Sequence, residues 1–399
     1  MSRAAENFDR WIRSSFVAMN TELENLYFAQ PDRANVEGIG ASVKKTLAEE
    51  GLALVRPLAA EGNTNEGFEN AFDVLGNLGL FMAALRRHEL TNPARETASP
   101  FYEASALGLH IGASLGVAPR FATAHLATHN KAIDGVQKSF TSLPDEFVFI
   151  DYNTMGILAY KRAADALMRI PPLGVSNKSA LMLLNNARDA LVDVATTNDI
   201  LFDRLDKDRF FYNVRPYYKP YRVGRQEYRG ANAGDFSGIN EIDLLLGLCR
   251  ANDPTYSQLL IDKMLFMIPQ DQASLRQCLI YVPLLDEFLK AAETSSRAEW
   301  FQRNCRAFLE VCEAHGRAAI QHHNRLFETF IVRMSDELDQ RHHAQLTASG
   351  PPLPVLARAL ERLRDLRAAA KRDDLETAHD KIEILKRAVG FTPSSTPSA

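Results

Sequence analysis

Cysteine is scarce in this chain: four residues in 399, at positions 249, 278, 305 and 312, with no CxxC pair among them. That excludes a zinc ribbon and a disulfide scaffold. The apolar, helix-like surroundings of all four mark them as buried thiols in a reducing compartment. Long apolar runs are missing as well. The longest, LGNLGLFMAAL at 75–85, has 11 residues, where a membrane-spanning helix needs about 20. No basic-then-apolar leader with a small-residue cleavage site opens the chain, so a cytoplasmic protein is expected. Charge of one sign is not in excess either. The 46 basic and 50 acidic residues leave a net −4, which offers no electrostatic case for nucleic acid or an anionic membrane as partner.

What is present is ordinary globular material, 46% hydrophobic and 24% charged, enough for a large core. Helical periodicity dominates. Met155, Leu158, Ala159, Ala163 and Leu167 fall on one stripe that stops at Pro171-Pro172. Ala180, Leu184, Ala187, Leu191 and Val194 form a second, and Ile239, Ile242, Leu245, Leu246 and Cys249 a third. A helix is expected to run from Trp11 through Phe16, Met19, Leu23 and Leu26, so ENLYFAQ at 24–30 is native sequence despite its likeness to a protease tag. The best strand-like run, FVFI at 147–150, is short. The expected class is all-α.

A polar, turn-rich stretch, HNKAIDGVQKSFTSLPDE at 129–146, places a smaller helical domain at 1–130 and a larger one at 131–390. The stretch 354–389 reads as one or two solvated surface helices, and 391–399 as a disordered tail. Two segments stand apart from the helical background. RFFYNVRPYYKPYRVGRQEYRG at 209–230 gathers arginines and aromatics around two prolines, and GANAGDFSG at 230–238 follows directly. A long irregular segment in a helical protein is more often functional than not.

AAIQHHNRLFE at 318–328 sets two histidines side by side in a helix that reads from Trp300 to about Gln345. The apolar stripe Phe301, Cys305, Phe308, Cys312, Gly316, Ala319, His323, Phe327, Phe330, Met334 advances by three or four at each step. His323 occupies a slot on it, and His322 is rotated off it. An inward histidine is either a hydrogen-bonded core residue or a metal ligand. The small and flat neighbours Gly316, Ala319 and Phe327 leave room for a planar cofactor but supply no second ligand. HExxH and CxxCH are both absent. A lone ExxH at Glu376–His379 falls short of the two that a four-helix di-iron site requires. Among metal sites, non-covalent haem on one histidine is favoured.

The glycine segment lacks both the GK[ST] of a phosphate loop and a dinucleotide fingerprint. Its glycines at 230, 234 and 238 allow close backbone approach, either to another helix or to a cofactor plane. Arg215, between Phe210-Phe211 and Tyr217-Tyr218, is either a surface ion-pair partner or a bidentate grip on the carboxylate of an aromatic substrate.

These segments together resemble a known superfamily. GANAGDFSGINEIDLLLGL is similar, in register, to the GGSAGQSS…FDVLLGI segment of indoleamine 2,3-dioxygenases, and FFYNVRPYY to their FFxxxR segment. FFYNVRPYYKPYRVGRQEYRG and QKSFTSLPDE resemble the monodechloroaminopyrrolnitrin synthase family within it more closely. The likeness covers about residues 125–335. It implies the two-domain, all-α fold of the indoleamine/tryptophan dioxygenase type, with haem b in the larger domain. His323 is then the iron ligand, Arg215 the carboxylate partner, and Phe210 and Phe211 the aromatics beside the indole. Asn232, Ala233 and Gly234 lie against the distal haem face, and Thr154 near a distal serine.

Departures from the dioxygenase pattern shift the expectation away from plain tryptophan dioxygenation. Asn232 stands where the dioxygenases carry serine, and Gly234-Asp235-Phe236-Ser237 where they carry GQSS, so Asp235 and Phe236 are expected to change the charge and size of the substrate pocket wall. The resemblance implies a haem oxygenase that uses O2 or hydrogen peroxide on tryptophan or a substituted, for example chlorinated, tryptophan in secondary metabolism. A peroxide-driven hydroxylase of a tyrosine-like amino acid is the alternative enzyme. A haem-binding or helical interaction protein without catalysis is the alternative of another class.

Overall fold

A computed structural model of the chain describes residues 1–62, 67–231, 234–332 and 352–392, without the side chains of 326–328, 330 and 332. Helices account for nearly all of its regular structure, as the periodicity predicts. The first part holds α1 (Arg3–Ile12), α2 (Ser15–Phe28), α3 (Ala41–Glu61), α4 (Gly67–Arg87), α5 (Tyr102–Leu115) and the short α6 (Thr123–Leu126). A long antiparallel pair follows, α7 (Pro144–Met168) and α8 (Lys178–Arg204), then the single turn α9 (Lys207–Arg209). After the aromatic segment come α10 (Gly238–Leu246), α11 (Pro254–Met264), α12 (Pro269–Ile280), α13 (Leu284–Ser295) and α14 (Glu299–Gln321). α15 (Leu353–Arg367) and α16 (His379–Val389) close the described chain.

Local chemistry sets several of these boundaries. The expected strand at 147–150 lies inside α7, because Pro144 in the first turn and the acidic pair Asp145-Glu146 mark a helix start immediately before it. The carboxylate of Glu146 turns back to accept from Phe140 N at 2.6 Å and Thr141 N at 2.7 Å, and desolvation pushes its pKa up to about 7. Asn177 caps α8 by accepting from Ser179 N, and Asp253 caps α11 by accepting from Tyr256 N. The single helix expected from Trp11 to Leu26 is broken at Arg13-Ser14. There Arg13 folds back on Asp9 at 2.7 Å, and Ser14 Oγ donates to Arg10 O.

Two large apolar clusters dominate the described residues, with three small ones beside them. One joins α1–α5 to Phe140, Ile150 and residues 201–231; the other joins α7 and α8 to α10–α16. Residues 201–231 thus return to the first cluster, on the far side of the expected domain boundary. The α8 stripe is fully buried, whereas on α7 Ala159, Ala163 and Leu167 are buried but Met155 and Leu158 are exposed. The helices at 354–389 are not merely solvated. Leu366, Ile382, Leu385 and Val389 all enter the second cluster. All four cysteines are buried free thiols. Among the described residues no helix is long and apolar enough to cross a membrane. Phe391 packs against the second cluster, and most of the tail expected at 391–399 lies outside the described residues.

Candidate functional site

The aromatic segment is compact rather than loose. Asp206 caps its start by accepting from Arg209 N at 2.8 Å. The chain then passes through a π turn at Phe210–Val214 and a 3-10 turn at Arg215–Tyr218. An antiparallel hairpin of β1 (Tyr221–Val223) and β2 (Gln226–Tyr228) follows. The two phenylalanines diverge. Phe210 enters the first cluster, its ring 4.9 Å from that of Phe149 on α7. Phe211 faces Tyr212 and Leu353 at the start of α15, and the Arg215 guanidinium stands 5.4 Å from its ring centroid. Burial draws the Arg215 pKa down to about 10, since desolvation disfavours the charged form. Phe211 is the predicted ring that stands beside the arginine.

Of the glycine loop the structure describes Gly230, Ala231 and Gly234 onward; Asn232 and Ala233 lie outside the described residues. Gly238 sits where an added Cβ would come within 3.0 Å of the Phe236 ring and 3.4 Å of the α7 backbone at Lys161. Close packing on a helix therefore accounts for this glycine. Phe236 is 9% exposed, its ring centroid 5.8 Å from that of Tyr160. Asp235 adds no charge to an open pocket wall, contrary to the sequence expectation. It is buried in an ion pair with Arg120 and a second with Arg229. Thr154, on α7, is half-buried, and its hydroxyl donates to Ile150 O at 2.7 Å.

At the histidine pair α14 gives way to a π-helix, His322–Val332, a geometry that recurs at functional sites. His323 is 7% exposed, the inward placement predicted from its stripe. His322 keeps an exposed surface, yet desolvation, followed by the charges of Arg367, His323 and Lys263, holds its pKa down to about 4. Lys263, drawn down to about 8 mainly by desolvation, donates to Gly234 O at 2.9 Å. Lys263 thereby links the neighbourhood of the histidine pair to the glycine loop. Beyond it, Arg325 anchors the π-helix on α8 through Asp199 and Asp203. Of the cradle expected on the stripe, Gly316 is taken by protein. An added Cβ there would lie 2.9 Å from Ala368 Cα, so the glycine serves helix contact with the end of α15. The side chains of Phe327 and Phe330, and all of Met334, lie outside the described residues.

One inward histidine escaped the sequence reading. His315, 1% exposed, donates from Nε2 to Asp243 Oδ1 at 2.7 Å. The same carboxylate accepts from Tyr256 OH at 2.7 Å and from Arg367, and this company holds the Asp243 pKa well below the carboxylate range despite burial. Its only signal was a position three residues after Cys312 on the same helix face. Asp243 lies in the INEIDLLLGL run beside the apolar stripe of Ile239, Ile242, Leu245 and Leu246, and carries no motif of its own.

Among the described residues no three histidine, cysteine, aspartate or glutamate side chains come together as a metal-ligand set. A cofactor that takes a single imidazole makes no such demand. The cations Lys263 and Arg367, in the charge environment of the histidine pair, suit the carboxylate groups such a cofactor carries. A cleft of about 210 Å³ beside Gly316, Ile320 and Arg367 is smaller than the roughly 300–1,000 Å³ of an organic-ligand pocket. A hollow of about 20 Å³ behind Phe236 and Lys161 has room for little more than one water.

The family model for monodechloroaminopyrrolnitrin synthase PrnB matches residues 2–389, well beyond the 125–335 covered by the motifs. The chain belongs to that family, of pyrrolnitrin-pathway oxygenases that act on a tryptophan derivative.

Proposed function

We propose that this member of the monodechloroaminopyrrolnitrin synthase family is a haem b oxygenase of tryptophan or a ring-substituted, for example chlorinated, tryptophan, with O2 or hydrogen peroxide as co-substrate. The observation that carries the substrate class is Arg215 standing over Phe211. A desolvated guanidinium offers two parallel donors to a carboxylate, and the adjacent ring offers an apolar face to an indole. His323 is the residue that would hold the iron. Bound haem would supply the oxygen-activating chemistry for insertion at the indole ring. The chain's own share is to grip the carboxylate, to hold the ring between Phe211, Phe236 and the loop of Asn232, Ala233 and Gly234, and to exclude water.

The deciding experiment is an absorption spectrum of protein loaded with haem, for wild type, His323→Ala and His322→Ala. Tryptophan, 7-chlorotryptophan and tyrosine are then titrated in. A Soret band lost in His323→Ala, kept in His322→Ala, and shifted by a tryptophan supports the whole assignment. Loss in His322→Ala alone moves the ligand by one residue. A shift with tyrosine only replaces the substrate class. A band that no amino acid shifts leaves a haem-binding protein without this activity.

A further inference from the structure

The glycine loop is gripped from behind at three consecutive residues. Asp235, 6% exposed, lies between two guanidiniums: Arg120 Nη2 donates to Oδ2 at 2.8 Å and Arg229 Nη2 to Oδ1 at 2.7 Å. Both guanidinium carbons stand over the Phe266 ring, 4.4 and 4.2 Å from its centroid. Arg120 is 1% exposed and spends a further donor, Nη1, on Phe121 O at 2.5 Å. One residue earlier, the Gly234 carbonyl accepts from Lys263 on α11. One residue later, the Phe236 ring rests by Tyr160 on α7. The loop is therefore tied to the loop after α5, to the end of β2, to α11 and to α7.

Such a triad needs a reason. Burying three charges costs desolvation that their attraction repays only in part, so a stable fold alone does not call for it. Glycines, in contrast, leave a loop the widest choice of backbone conformations. With glycines at 230, 234 and 238, an unrestrained loop would present its wall at no fixed height. Asp235 is the one charged residue between them, and its two oxygens are bound by arginines from two different elements, which fixes both position and orientation.

We propose that Asp235 is a positioning residue: clamped by Arg120 and Arg229, it sets the stand-off of Gly234 and Phe236 and thereby which ring substituents the pocket admits. The clamp itself is read from the hydrogen bonds; its effect on selectivity rests on the function proposed above. Asp235 touches no substrate on this account and acts through its neighbours.

Two variants test it. Asp235→Asn removes the charge, and Lys263→Met releases the Gly234 carbonyl without stranding the arginines, so it serves if the first fails to fold. Hydrogen exchange by mass spectrometry, on protein with and without haem, is followed over residues 230–238. Exchange there should rise about tenfold while peptides from α8 and α14 stay unchanged, because a locally loosened segment opens without global unfolding. In the haem-loaded enzyme, the ratio of kcat/KM for 7-chlorotryptophan over tryptophan should change by roughly tenfold, mainly through kcat, as misplacement of a positioning wall predicts. An unaltered loop, or exchange that rises evenly along the whole chain, overturns the clamp. A loosened loop with an unchanged substrate ratio overturns the selectivity role. Wild type that turns over neither amino acid breaks the functional reading instead, and the exchange arm then decides the clamp by itself.

Discussion

Arg367 reaches Asp243 with two nitrogens, Nε at 2.9 Å and Nη2 at 2.8 Å from its oxygens, across 124 residues of chain. The last residue of α15 thereby enters the polar centre of the second core, where His315 and Tyr256 meet the same carboxylate. α15 is docked by a charge pair and not only by its apolar face.

Removing that cation should be costly. Arg367→Met leaves Asp243 buried with only neutral donors or a histidine, and a broken buried pair costs about 3–5 kcal/mol. Urea unfolding monitored by circular dichroism should register the loss. A change below about 1 kcal/mol would mean that the pair is no better than a surface one.

Acid should destabilise the protein through neutral buried histidines. His125 accepts from Ala122 N at 2.8 Å on Nδ1 and donates to Phe72 O at 2.9 Å on Nε2, so the neutral ring is satisfied. Burial draws its pKa from 6.5 down to about 3. Above pH 6.5 the group adds no pH dependence. Below it the unfolded chain takes up a proton that the fold refuses, so stability falls progressively to about pH 3. At pH 5 this single group should cost about 2 kcal/mol relative to pH 7.5. His125→Gln should flatten the pH profile of unfolding by that amount, and an unchanged profile would place the acid sensitivity elsewhere.

Arg215→Ala should weaken amino-acid binding roughly 100-fold, the worth of two charge-assisted hydrogen bonds, and leave the haem spectrum as it is. Arg215→Lys should recover little, since an ammonium cannot match the two-donor fork. Titration of the amino acid, followed by the Soret shift, measures both. Equal affinities across the three proteins would take the carboxylate away from this residue.

Gly79→Ala should destabilise against helix propensity. Alanine gains about 1 kcal/mol in a helix interior, but here the new Cβ would lie 2.3 Å from Phe121 N and 2.7 Å from Phe121 Cα. Backbone cannot rotate aside as a side chain can. The same amide also donates to Tyr221 OH at 3.0 Å, so the move that relieves the clash strains a buried bond. A net loss of about 1–3 kcal/mol is expected in thermal unfolding. A rise in Tm would show that the α4 contact is looser than its distances.

Much of this was legible in residue spacing, and the misses share a cause. The α8 stripe and the burial of His323 follow from a period that neighbouring residues alone determine. FVFI was misread because composition outweighed the Pro-Asp-Glu start beside it. Met155 and Leu158 were misassigned because periodicity finds an apolar stripe without knowing whether a partner covers it. His315, Asp243 and Arg367 stayed hidden for the reverse reason: each is polar, and becomes interior only when the others arrive from 72 and 124 residues away. Asp235 looked like pocket chemistry, since nothing local announces Arg120 at a separation of 115.

The backbone changes core three times. It fills the first up to about Ile150, enters the second along α7 and α8, returns through 201–231, and leaves again at α10. No single cut can then yield two whole halves: cleavage after residue 130 strands the aromatic segment with the wrong partner, and cleavage after 231 strands α7 and α8. Arg215 and the start of the glycine loop, Gly230 and Ala231, ride on the third of these four stretches, the one that belongs by sequence to one half and by packing to the other. A protease that nicks this protein should release no stable fragment, and whatever loosens one half should be felt in the other.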